Sequence, residues 1–363
     1  MFKVKKEDIL KGFSILNRVV KQVPTMPILS NVLIDSEKNM GVLIGTDLEV
    51  GIKYYFQYEG EIERIIVSSK TFQNLIRSFS TDEIIIEKKE GFININSNGK
   101  EYKIRIIEED YPFITMDDIE KEFLVNREFL KNGLGKISFS IGDPQKTRLE
   151  FSSCLVEFKG DNIKMVSTDG NRLSFFVSNF FKKDESEFSF LIPKGSVSVL
   201  ERIVDLEEKE IVKLSFSPRS FSYEGSSVYF ISRMGQGNFP NYEMVLPRSE
   251  DKYIIVNKRD LIDSLQRLLL ITREGSGKVQ FEIKNKLILK GSSIDIGEGV
   301  EEIEILEGNG KDEKIYLDNK KVIEGIKTME EEKIKMIFFD SESPVTFKDG
   351  DKYLYIIMPY RSE

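Results

Sequence analysis

The run Thr168-Asp169-Gly170-Asn171-Arg172 puts a hydroxyl, a carboxylate, an amide and a guanidinium between two apolar stretches, in "KMVSTDGNRLSFF". A second acidic turn, Asp349-Gly350-Asp351, lies near the C-terminus. Carboxylates so placed could hold a divalent cation for phosphate hydrolysis, since magnesium takes one or two carboxylates beside substrate phosphates. The rest of the chain does not support that chemistry. There is no histidine, which removes the commonest general base, the Ser-His and Cys-His nucleophile systems and the commonest zinc ligand. The single cysteine, Cys154, rules out an internal disulfide framework and a cysteine-cluster metal site. No glycine-rich lysine loop is present to cradle phosphates. Asp169-Gly170 therefore reads first as a tight turn between two strands. A weaker copy, "VLIGTDLEVGIKY" from Val42, repeats its Thr-Asp pair at Thr46, one domain length earlier.

That echo belongs to a larger repeat. Three times the chain opens with an apolar strand running into an amphipathic helix: "FKVKKEDILKGFSIL" from Phe2, "FLVNREFLKNGLGKI" from Phe123 and "YIIVNKRDLIDSLQRLLLI" from Tyr253. Three times a second strand-to-helix unit follows, from Arg64, Phe190 and Lys314. Alternating strand pairs from Asp82, Glu210 and Glu332 come next, joined by polar turns that signal antiparallel sheets with one covered face. The period is far longer than the roughly 20–50 residues of solenoid repeats. It suits three α+β domains in tandem, over residues 1–120, 121–250 and 251–363.

Charge divides along the same lines. The chain has 53 basic and 61 acidic residues, a formal net charge of −8, so nucleic acid could be held only by a surface on which the bases are gathered. The helices offer such a surface. Apart from the apolar stripe of Ile9, Leu10, Phe13, Leu16 and Val20, the first should present Lys11, Ser14, Arg18 and Lys21. The second places Lys70, Asn74 and Arg77 away from Phe72, Leu75 and Ile76. Arg127 and Lys131, Lys194 and Arg202, Lys258 and Arg267, and Lys320 and Lys327 extend the pattern to the other four, while the strands and turns hold acidic runs such as "EGVEEIEILEG". Lysine-rich helix faces are common in solution; six in equivalent positions of an acidic chain are what holding a phosphate backbone on one surface requires. No apolar run approaches the roughly 20 residues that span a bilayer, and the N-terminus lacks a signal-peptide block, so a cytoplasmic protein without membrane contact is expected.

Five stretches, "PTMPILSNVLI" at Pro24, "GTDLEV" at Gly45, "STDGNRLS" at Ser167, "FPNYEMVLP" at Phe239 and "IIMPYR" near the C-terminus, stand in the order and spacing of one family. Over residues 1–361 the chain resembles the bacterial DNA polymerase III beta subunit, the sliding clamp. The resemblance implies three DNA-clamp domains per chain, with antiparallel sheets outside and helices lining a central hole, closed head to tail into a dimeric ring. It implies a non-catalytic, cofactor-free processivity factor that encircles double-stranded DNA without reading sequence. The replicative polymerase, the clamp loader and other proteins carrying a clamp-binding motif would dock by short peptides. Matching pocket positions are Thr168, Gly170, Asn171, Arg172 and Leu173, with Pro240 and Val245, Ile356, Met358 and Pro359, and a neighbouring depression at Phe151 and Pro344. Asn171 stands where the family often has histidine. Matching DNA-contacting positions are Lys70, Arg77, Gln145, Arg148 and Lys194, whereas Val23 replaces a base found in some relatives. Leu270 and Ile271 match the apolar patch of the subunit joint. The rival reading is a repeat-built protein-interaction scaffold that does not encircle DNA.

Overall fold

The computed structural model describes residues 1–22, 26–160, 162–179, 187–310 and 312–361; Val23 and Pro24 lie outside the described residues. All six expected helices are present: α1 (Lys6–Leu16), α2 (Ser69–Ser78), α3 (Arg127–Ile137), α4 (Lys194–Leu206), α5 (Lys258–Thr272) and α6 (Asn319–Lys327). Each follows a strand directly. Four begin on a side-chain cap, with Ser68 accepting from the Thr71 amide, Asn126 from Glu128, Asn257 from Arg259 and Asp260, and Asp318 from Lys321. The repeat recurs in the hydrogen bonding. The first amide of each opening helix, at Lys6, Arg127 and Lys258, donates to Asp82, Glu210 and Glu332 respectively, each at 2.8 Å.

One expectation fails at the end of α1. The helix stops at Leu16, so Arg18 and Lys21 are not on its face. The amides of Arg18 and Val19 bond three residues back, to Ile15 and Leu16, which tightens the last turn at Asn17 just before two β-branched valines. Val20 is buried as expected, but from the turn.

Helices and sheets meet through glycine. A Cβ at Gly12 of α1 would stand 2.6 Å from the Tyr54 ring, and one at Gly325 of α6 would stand 2.2 Å from Tyr355. Glycine costs a helix about 0.5–1 kcal/mol relative to alanine, and here it lets a buried aromatic ring lie directly on the helix backbone.

The chain forms two compact units. One is Met1–Lys131 with Gly195–Met234, the other Asn132–Lys194 with Gly235–Glu363. The first holds a five-stranded and an eight-stranded sheet, the second a twelve-stranded sheet, all with antiparallel pairing among the described residues. The division falls within the middle copy because the sheets run across copy boundaries. In the first unit the last strand of copy two, Val228–Arg233, pairs with Val50–Phe56 of copy one, from Val228 opposite Tyr54 to Ser232 opposite Val50. In the second, the last strand of copy three, Tyr353–Ile357, pairs with Arg172–Asn179 of copy two, from Arg172 opposite Ile357 to Phe176 opposite Tyr353. The same joint is therefore built twice. No described helix is long and apolar enough to cross a membrane.

Candidate functional site

The second joint carries the loop Thr168-Asp169-Gly170-Asn171-Arg172. Strands Asn162–Thr168 and Arg172–Asn179 form a hairpin closed by Thr168 opposite Leu173. Its turn is self-contained. The Thr168 hydroxyl donates to the Arg172 carbonyl at 2.6 Å and accepts from the Gly170 amide at 3.1 Å, while Asp169 Oδ1 accepts the amides of Asn171 and Arg172 at 2.9 and 3.1 Å. Gly170 has φ +89°, a left-handed conformation that side chains rarely adopt, and a Cβ there would meet the Phe151 ring at 3.2 Å. The Asn171 carbonyl then accepts the Met358 amide at 2.8 Å, tying the loop to the end of the C-terminal strand.

The strand turns the Arg172 side chain away from that of Leu173. Successive side chains of a strand point to opposite faces, so Leu173 and Phe175 face one way and Arg172, Ser174 and Phe176 the other. The Arg172 side chain, 11% exposed, donates Nε to Asp169 Oδ2 at 3.0 Å and one Nη to the Phe139 carbonyl at 2.7 Å; the other Nη bonds Glu324 of α6. Its guanidinium also lies 5.2 Å from the centre of the Phe139 ring. Burial works against the charge, but the Glu324 bond and nearby acidic groups outweigh it and raise the pKa. Arg172 is a brace between loop and helix.

On the opposite face lies an apolar cluster of Leu155, Val166, Leu173, Leu191, Tyr242 and Ile356, with Phe175, Phe239, Val245 and Leu246 packed against it. It brings together three of the expected residues, Leu173, Val245 and Ile356. Pro240 follows Phe239 of that cluster. Met358, 41% exposed, and Pro359 follow the strand, which ends at Ile357. Thr168 is buried under the turn, Phe151 lies beneath Gly170, and Pro344 precedes Val345, which pairs with Ile357. Tyr242 was not anticipated. Its hydroxyl donates to Glu157 at 2.5 Å, and its ring stands 5.9 Å from Phe175 and 6.4 Å from Phe239. Alternation along Phe175 was a usable signal for that residue, whereas nothing local in "FPNYEMV" says which aromatic turns inward.

The acidic turns are occupied by protein groups. Asp169 serves the loop amides and Arg172. Asp349, with only 3% of its side chain exposed, takes Lys136 Nζ at 2.8 Å and the amides of Glu330 and Glu331 at 2.9 Å. Burial opposes the Asp349 charge, yet those donors prevail and hold its carboxyl below the usual range. No cluster of three metal-ligating side chains exists among the described residues.

The expected phosphate contacts divide. Lys70 and Arg77 are exposed on α2, as are Gln145 and Arg148 in the segment before the 3-10 turn Leu149–Phe151. Lys194 is half-buried at the start of α4, and its amine donates to the Ile141 carbonyl at 2.8 Å. Arg267 is bound to Glu301 at 2.6 Å, and Lys258 to the Met329 carbonyl. On α5, Leu270 is 63% exposed, while Ile271 is half-buried near Gly299, where a Cβ would stand 2.8 Å from it.

Three helix-and-sheet copies in tandem, with the joint between copies built twice, are the fold of a three-domain clamp protein. Three family models match in series: the N-terminal, central and C-terminal domains of the DNA polymerase III beta subunit, over residues 1–116, 124–241 and 243–361. The beta sliding clamp of Pseudomonas aeruginosa is 24% identical over 99% of each chain, and that of Synechocystis is 25% identical over 98% of each. The solved beta subunit of Thermotoga maritima superposes with a TM-score of 0.92 at 25% identity over the whole of both chains. The chain belongs to the DNA polymerase III beta subunit family, the sliding clamps, which are non-catalytic processivity factors of that polymerase. A scaffold unconnected with DNA is not favoured.

Proposed function

We propose that two copies close head to tail into a ring around duplex DNA, with 1–120, 121–250 and 251–363 as its domains in each copy. The ring would work in the cytoplasm. The observation that carries this is the pair of strand edges left over from the repeated joint. Copies one and two each have a hairpin strand completed by the last strand of the next copy. In copy three the corresponding strand, Gly297–Gly308, pairs over residues 297–304 with Lys286–Ser293 on one side only. The last strand of copy one, Lys100–Arg105, ends its own sheet. Among the described residues neither edge has a further partner. Their net charges are opposite: Lys100, Lys103 and Arg105 against Glu101 on one, and Glu298, Glu301, Glu302 and Glu304 on the other, with Glu301 and Glu302 already paired to Arg267 and Lys286. Pairing either edge with itself sets like charges together, whereas pairing the two with each other joins opposites. That favours a heterologous contact, which closes when the rotation permits. Exposed Leu270 would add apolar area to the joint.

Lys70, Arg77, Gln145 and Arg148 would meet phosphates, giving weak, salt-sensitive contacts without base readout. Lys194 would contribute less, its amine being already engaged. The cluster around Leu173, Ile356 and Val245, with Met358, Pro359 and Pro240 at its opening and Phe151 and Pro344 beside it, would hold peptides of the replicative polymerase, the clamp loader and other partners. The test is topological. Light scattering should give about twice the 41.9 kDa chain mass, and protein loaded on nicked circular DNA should survive high salt and leave when the circle is cut. Monomeric protein, or equal loss from circles and linear DNA, would refute the ring.

A further inference from the structure

The first joint carries an open groove that the family resemblance did not bring into view. A cavity of about 710 Å³ lies along strands Val50–Phe56 and Val228–Arg233, lined among others by Met40, Tyr55, Phe113, Met116 and Tyr229. It is not a copy of the socket at the second joint. In register, the counterpart of Leu173 is Gly51, because Thr46 faces Gly51 as Thr168 faces Leu173. A Cβ at Gly51 would strike the Phe113 ring at 2.8 Å and Ile114 at 3.0 Å. The chain thus fills the socket-equivalent place with its own Phe113, and the open volume is displaced along the strands toward Tyr55 and Tyr229.

Charge identifies the occupant. Three lysines and two glutamates line the groove: Lys38, Lys53 and Lys209 with Glu37 and Glu224. Both glutamates are committed. Glu37 takes Lys53 Nζ at 2.6 Å and the Tyr55 hydroxyl at 3.1 Å, and Glu224 takes Lys213 at 3.1 Å. Lys38 and Lys209 have no carboxylate partner among the described residues; Lys209 only donates to the Gly225 carbonyl at 3.3 Å. Two uncompensated cations thus border a floor of aromatic rings and methionines, and the thioethers can repack around different side chains. The volume falls within the roughly 300–1,000 Å³ of ligand sites.

We infer that this groove is a second docking site, for a short acidic peptide carrying an apolar anchor residue. The inference rests on the fold of the first unit and is independent of the socket reading. The probe is an acetylated Asp-Glu-Leu-Phe-Asp peptide, titrated into the full chain labelled at its methionine methyls. Met40 and Met116 should shift with the acidic peptide and not with a version whose acids are replaced by lysine. The surface variant Lys38→Glu/Lys209→Glu should weaken those shifts at least about fivefold. Met358 reports the other socket separately. Still methyls at Met40 and Met116 in millimolar peptide, equal binding of the lysine version, or an unaffected double variant would each overturn the groove, whatever Met358 does.

Discussion

Met358→Ala is the cleanest perturbation of the proposed peptide socket, because Met358 is accessible where Leu173 is not. Leu173 is 5% exposed and packed among Leu155, Val166 and Ile356, so truncating it acts mainly on the fold. Large-to-small core changes of that kind cost about 2–5 kcal/mol. Met358 keeps 41% of its surface open. Full burial of such a side chain is worth about 1.5–3 kcal/mol, so an incoming peptide that covers the remaining two-fifths gains about 0.6–1.2 kcal/mol. At about 1.4 kcal/mol per tenfold in affinity, Met358→Ala should weaken binding roughly three- to sevenfold. Its backbone bond to Asn171 is untouched, so ring mass should stay as it is, while loss of the buried three-fifths of the side chain should lower stability by about 0.9–1.8 kcal/mol. Fluorescence anisotropy with a labelled C-terminal peptide of the cognate polymerase reads the affinity, and a urea titration reads the stability. Unchanged affinity would place the peptide elsewhere. A hundredfold loss would show that Met358 does more than cover apolar area.

Arg172→Ala should lower stability by at least about 1.5 kcal/mol, since it breaks charge-assisted bonds to Asp169 and Glu324; if it weakens peptide binding with no loss of stability, Arg172 belongs to the socket edge after all. Asp349→Asn leaves Lys136, itself 8% exposed, with the solvent-facing Glu330 as its one remaining carboxylate among the described residues, and should cost about 3 kcal/mol, the scale for removing one charge of a buried pair. Hydrogen exchange at the Glu330 and Glu331 amides should rise with it. Because the folded pKa of Asp349 is depressed, its contribution is complete above the unfolded value, about 3.9, and is lost as pH falls through the folded one. A wild-type acid transition unchanged by Asp349→Asn would contradict this. Leu270→Asp together with Glu298→Lys should yield monomer by light scattering at micromolar concentration; a persisting dimer would dismiss the proposed edge pairing.

The repeat was legible in the sequence because strand-to-helix units impose both of their periods in a fixed order. All six helices could be placed from residues such as Phe72 and Ile76, whose spacing is local. The end of α1 was not legible, because Val20 continues the apolar spacing while the backbone has already left the helix. The site was half legible for a related reason. The family resemblance put Leu173 and Arg172 in one pocket, yet a strand separates neighbours onto opposite faces. Applied to Arg172-Leu173-Ser174, that alternation alone would have sent the guanidinium toward the helices. What no period could supply was the identity of its partners, Phe139 and Glu324, which arrive from other elements of the fold. The same reasoning covers the phosphate candidates. Lys70 and Arg77 stay exposed on their helix, with only a long 3.5 Å bond from the Lys70 amine to the Gln22 side chain, whereas Lys194 sits at a strand-to-helix junction where the Ile141 carbonyl is within reach of its amine. A lysine's position on a helix face can be read from spacing; whether its charge is available depends on which carbonyls and carboxylates the rest of the chain brings to it.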